Sequence, residues 1–233
     1  MIYSNKLTLH EHLRFTGWLT VIILSVLAII FSLAQALQPS FGILNSYQIH
    51  KFTEAIMGRA FAEQTLIFQE TPVVLLTHMI PGIVYFIIGP LQICRNFRRD
   101  NITRHKIFGV MLAFVSVLTI TSGCYFAINV PLGGSFEIIP VLFFSILHVG
   151  FFSLGLRSII RKDIPSHGEW MLRCFYINMG IIMTPLWYIL LTNSMGTQGS
   201  NTFNSAIWLS LTTNVISVEL WIKFRNSIET NNY

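Results

Sequence analysis

At 233 residues, with 53% hydrophobic and 11% charged side chains and a mean hydropathy of +0.61, the chain lacks the charge to coat a water-soluble globule. Composition therefore excludes a soluble enzyme or adaptor and makes the lipid bilayer the expected solvent. The formal net charge of +5 sits mostly in a few connections between apolar stretches, so it gives no ground for nucleic-acid binding.

Taken in chain order, uninterrupted apolar runs occur at 18–37, 72–93, 107–130, 138–156, 170–192 and 203–222. Each is near the roughly 20 residues that cross hydrocarbon as a helix. None alternates as the strands of a membrane barrel do, so the expected class is all-α: a polytopic bundle of six spans. The first run is long and has no small-residue cleavage site after it, which reads as a retained helix and not a signal peptide. Between the first two runs, 38–71 is the largest external piece, and KFTEAIMGRAFAEQ (51–64) mixes apolar and charged residues as a helix lying on the outer surface would. The chain shows no internal repeat and reads as one integral membrane domain, 1–233, with a histidine-bearing core at about 72–192.

Lys and Arg gather in alternate connections. Arg95, Arg98, Arg99, Arg104 and Lys106 follow the second run, Arg157, Arg161 and Lys162 the fourth, and Lys223 and Arg225 the sixth, while 129–137 and 193–202 carry none. This bias predicts that both termini are cytoplasmic in the inner, or plasma, membrane. Cys94, Cys124 and Cys174 have no motif spacing and read as structural thiols.

The second run carries His78, Gly82, Tyr85 and Gly89 at i, i+4, i+7 and i+11, a polar and small stripe that should face inward. The third opens near His105 and continues the stripe with Gly109, Leu112 and Ser116. The fourth has His148 at mid-run beside Phe144, Ser145, Phe151 and Gly155. Before the fifth, Ser166 is the expected N-cap, followed by His167, Trp170, Met171, Cys174 and Asn178 on one stripe. Small residues on such faces let helices approach or leave room for a flat ligand. The sixth run carries Asn214 and Glu219. An acid at that depth needs a partner, and Arg173, equally far inside the fifth run, is the expected one, with Lys223 competing.

Four successive spans thus bear one histidine each, His105 and His167 near the cytoplasmic edge and His78 and His148 further out. Two imidazole pairs at two depths suit two b-type haems: His78 with His148 as outer ligands and His105 with His167 as inner ones. The chain would then carry electrons across the membrane, and any enzymatic activity would be that of a membrane oxidoreductase, its basic connection drawing in a small anionic reductant. Counted from the starts of the runs, His78 and His148 differ in depth by about 6 Å. The histidines can instead serve as hydrogen-bonding struts in a non-enzymatic carrier of small solutes or protons, or in a membrane assembly partner. Arg173, Asn178, Asn214 and Glu219 would then be the polar pathway. HExxH and the nucleotide-binding glycine patterns are absent, and a single metal held by His78 and His148 with Tyr85 or Glu137 is the weaker use of these donors.

The elements His78…Gly89-Pro90-Leu91-Gln92, Arg104-His105-Lys106-x-x-Gly109, Gly133-Gly134, His167-x-x-Trp170-Met171-x-Arg173 and Asn214-x4-Glu219, over about 70–222, resemble a bacterial multi-pass membrane family, domain of unknown function 2306. That resemblance implies a polytopic inner-membrane protein with these positions marked. The family's usual basic residue after the third-span histidine is Lys106 here, a mild departure that leaves the match standing but speaks against a bidentate role at that position. The placing of one histidine per helix is also similar in architecture to two-haem transmembrane b-type cytochromes.

Overall fold

The computed structural model describes residues 2–41, 46–57, 70–197 and 199–230, and among them every regular element is helical. Helix α1 spans Ile2–Phe41, α2 Ser46–Met57, α3 Pro72–Ile93, α4 Arg95–Asp100, α5 Ile102–Asn129, α6 Ile138–Ile160, α7 Ile164–Met195 and α8 Ser200–Thr230, with one 3-10 turn at Gly134–Phe136. Among the described residues six helices, α1, α3, α5, α6, α7 and α8, are long and apolar enough to cross a bilayer. The all-α, multi-pass expectation holds.

The apolar runs mark the hydrocarbon-level part of each helix, and most helices continue beyond it. Nothing in an α-helix requires it to stop where the oil does, because its hydrogen bonds are internal. Thus α1 runs beyond the 18–37 run, through Pro39, to Phe41. Helix α7 starts at Ile164, with Asp163 and not Ser166 as its N-cap: the Asp163 carboxylate accepts the Ser166 N–H at 3.1 Å. Those Ser166 donors hold the exposed Asp163 carboxyl below its usual range. Pro165 in the first turn fits that start, since its missing N–H would have no intrahelical partner there. Gly196 ends α7 at φ 65°, a left-handed cap that costs glycine nothing. The outer surface helix expected at 51–64 is described only as Ser46–Met57; 58–69 lie outside the described residues.

Neighbouring spans pack as two sets. Helix α3 lies against both α1 and α5, and α7 lies against both α6 and α8, the α7–α8 pair being the most extensive. By contrast α5 and α6 meet only slightly. The sets are joined through α7: Phe175 and Met179 pack with Val21 and Ala28 of α1, Tyr85 and Phe86 of α3 and Val115 of α5. Gly89 makes this possible, because the Phe175 ring occupies the place where a Cβ would stand, stacked 6.0 Å from Tyr85. On the other flank Phe144, Ile177, Tyr188, Phe203, Ala206, Ile207 and Leu211 form a second cluster.

The α7–α8 contact depends on Gly180, where a Cβ would lie 3.0 Å from the Leu211 Cα and 2.8 Å from its Cδ2. Close backbone approach of this kind replaces the hydrophobic effect that lipid removes. We expect Gly180→Val to lower thermal stability in detergent by about 1–3 kcal/mol, the usual cost of overpacking. Gly150→Val, where nothing lies within 4 Å, should leave the unfolding midpoint unchanged.

Candidate functional site

Each of the four histidines sits on its expected helix, and hydrogen bonds fix what two of the rings can do. His78 Nδ1 lies 2.9 Å from Ser122 Oγ on α5. The Ser122 hydroxyl spends its single proton on the Leu118 carbonyl at 2.6 Å, so its oxygen accepts from His78 Nδ1–H. His167 Nδ1 lies 2.9 Å from the Gly155 carbonyl, which can only accept. In the neutral form of each ring the proton is therefore on Nδ1, and Nε2 keeps its lone pair. This is the arrangement in which a protein acceptor orients a metal-ligating imidazole.

His148, 3% exposed, and His105 each have a buried Nδ1 without a hydrogen-bond partner. Buried polar nitrogens are seldom left so. His148 is tied to α7: the Cys174 thiol donates to the His148 carbonyl at 3.6 Å, and the His148 ring bonds the Cys174 carbonyl. His105 lies within Coulombic reach of both His167 and Arg98.

His105 and His167 thus lie at the same end of the bundle, within Coulombic reach of each other. His78 and His148 rest on different helices, the first on α5 and edge-on to Phe126 at 5.7 Å, the second on α7. Their relative depth follows from two contacts. Cys124 of α5 touches Ser145 of α6 at 4.0 Å. From there Ser122, which holds His78, and His148 lie about 3 and 4.5 Å toward the same end, a closer match than counting from the run starts gives. On the other side, Tyr85 donates to the Cys174 carbonyl at 3.4 Å. His148 is accordingly level with the part of α3 between His78 and Tyr85.

That part carries Gly82. Its neighbours on the stripe are packed: Tyr85 and Gly89 are buried and His78 is bonded to α5, yet a Cβ on Gly82 would meet nothing within 4 Å. The same pattern recurs on α5. Leu112 packs into the core and Ser116 is buried, whereas a Cβ on Gly109, one turn from His105, would meet nothing within 4 Å. Gly89 and Gly155 differ, being filled by Phe175 and Met171. Gly89 and Gly155, like Gly180, thus admit a neighbour, whereas Gly82 and Gly109, each one turn from a histidine, leave space. Imidazole donors beside such space are the kind of donor set that a flat, iron-bearing ring takes.

The Arg173–Glu219 pair is present and doubly bonded, Nε to Oε1 at 2.5 Å and Nη2 to Oε2 at 3.0 Å. Two partners escaped the sequence reading. Glu169, one turn before Arg173, lies 3.7 Å from its Nη1 and binds Arg225 at 2.8 Å, while Trp170 places its ring 4.4 Å from the guanidinium. The i, i+4 spacing of Glu169 and Arg173 was the available signal. Asn214 donates to the Ser210 carbonyl of its own helix at 2.8 Å, and Asn178 is within hydrogen-bonding reach of Tyr85. The Glu137 carboxylate accepts the Gly133 N–H at 2.7 Å. Among the described residues no group of three or more His, Cys, Asp or Glu could hold a metal ion.

A family model described as a predicted membrane protein (DUF2306) matches residues 75–222. No curated protein and no solved structure matches the chain.

The side chain of Arg173 is 11% exposed and that of Glu219 38%, so the pair lies between the surface and fully buried limits. Glu219→Gln should destabilise by about 1–3 kcal/mol. A double-mutant cycle with Arg173→Met that returns no coupling would show the pair to be idle.

Proposed function

The chain belongs to the predicted membrane protein family (DUF2306), and within that frame we propose that it is a transmembrane electron carrier of the b-haem type. His105 and His167 would hold an inner haem, and His78 and His148 an outer one. The observation that carries this reading is the repeated pairing of a histidine with open space one turn along its helix, His78 with Gly82 and His105 with Gly109. The Nδ1 protons of His78 and His167 directed at protein acceptors, and the partnerless Nδ1 atoms of His105 and His148, support it.

When bound, haem supplies a reversible one-electron couple. The chain's own residues do the rest. Ser122 and the Gly155 carbonyl hold the imidazoles in one tautomer, Phe126 and Phe175 keep water from the interior, and Cys174 ties α6 to α7 behind His148. With both termini cytoplasmic in the inner membrane, the exposed Arg95, Arg99 and Lys106 would draw a small anionic reductant to the inner end. The solute-pathway reading is less well supported: of its four residues, Arg173 and Glu219 are closed on each other, Asn214 on its own helix, and Asn178 lies on Tyr85.

Protein purified after expression with haem in excess should give a b-type band in the reduced-minus-oxidised spectrum, reduced by about half in His105→Gln or His78→Gln. A colourless, folded protein would rule this reading out. Orientation is a separate test. Single cysteines at Ser135 and at Arg99, in a background lacking Cys94, Cys124 and Cys174, should react with an impermeant maleimide from outside intact cells only at Ser135. Labelling at Arg99 instead would reverse the topology.

A further inference from the structure

The inner end of the bundle holds more positive charge than its acids answer. Ile93, the last residue of α3, packs against the Leu172–Val218–Ile222 cluster of α7 and α8. Phe97 stacks on Phe108 at 5.7 Å and pins α4 to α5. These two contacts put the α3–α4 corner over the end of α8, where Arg95 and Arg225 act on Arg98 and Arg98 acts in turn on His105.

In this group Arg95, Arg98, Arg173 and Arg225 stand against two carboxylates. Glu169 is shared by Arg173 and Arg225, and Glu219 is taken up by Arg173. Arg98 is half-buried and makes no ion pair among the described residues. Burial pulls its guanidinium below the ordinary value, and Arg95 and Arg225 add to the effect. A further buried donor at this end, Gln92 Nε2, has no hydrogen-bond partner. Excess charge taken partly out of water, beside an unmatched donor, is costly unless a counter-charge completes it.

We infer that the α3–α4 corner is a phosphate-binding site, in which Arg98 grips the oxyanion, Arg225, whose Nη2 is bonded to Glu169, adds charge beside it, and Gln92 lines its inner side. A planar guanidinium meets two oxygens of a phosphate at once, which a lysine cannot do. The phosphate comes either from an anionic lipid headgroup of the facing leaflet or from a soluble phosphate. The site does not depend on haem: it uses the helix corner and the charge balance, and its readout is not spectroscopic.

The test uses full-length protein, delipidated in a neutral detergent, with thermal unfolding followed at constant ionic strength. One arm adds inorganic phosphate in place of chloride. The other compares nanodiscs of phosphatidylcholine with nanodiscs containing phosphatidylglycerol. Wild type should be stabilised in at least one arm, by phosphatidylglycerol alone if the source is lipid and by inorganic phosphate as well if it is soluble. Arg98→Gln should weaken the apparent affinity about tenfold or more, and Arg98→Lys, which keeps the charge but loses the fork, should fall between. The exposed Arg99→Gln should behave as wild type. Stabilisation in neither arm, or an equal response in wild type and both Arg98 variants, overturns the site.

Discussion

In hydrocarbon a polar group has no water to fall back on, and that constraint orders this molecule. Every donor and acceptor at membrane depth must be matched by another part of the chain, or by something bound to it. Arg173 and Glu219 meet the constraint with two parallel hydrogen bonds between α7 and α8. Thr184 and Ser210 meet it between the same helices, their hydroxyls 2.9 Å apart. Ser and Thr side chains elsewhere return their protons to carbonyls a turn back, as Thr119 and Thr213 do. Among the described residues the buried side-chain nitrogens left unmatched are those of Gln92, His105 and His148, beside hydroxyl or amide oxygens of Ser25, Thr71, Thr192 and Asn204.

The same constraint explains how the helices come together. Apolar side chains gain little by leaving lipid for protein, so association rests on close packing and on polar links. Gly89, Gly155 and Gly180 supply the close packing by admitting Phe175, Met171 and Leu211. The α5–α6 seam has little of either, with Cys124 and Ser145 touching at 4.0 Å. It separates the α1–α3–α5 set, which carries His78 and His105, from the α6–α7–α8 set, which carries His148 and His167.

Much of this was legible in the amino-acid order. Apolar run length decides that a segment crosses a bilayer, and the 72–93 run coincides with α3 because Thr71 and Cys94 bound it on both sides. Equal depth was enough to pair Arg173 with Glu219. The histidine stripes were visible because 3.6-residue periodicity puts i, i+4 and i+7 on one face. Helix ends were not, since α1 and α7 pass from oil into water without breaking a hydrogen bond. The acceptors of the histidines were also hidden. Ser122 lies 44 residues from His78, and the Gly155 partner is a backbone carbonyl, which sequence does not mark. Nor does composition tell a glycine that admits a neighbour, such as Gly89, from one that leaves space, such as Gly82.

The central claim is that opposed imidazoles from four spans bind iron through their free nitrogens. Low-temperature electron paramagnetic resonance of the purified, oxidised protein tests it most directly. The account predicts two low-spin ferric signals of bis-imidazole type, one lost in His78→Gln and the other in His167→Gln. A spectrum without such signals from folded, haem-supplied protein, or a single signal indifferent to both substitutions, would contradict it.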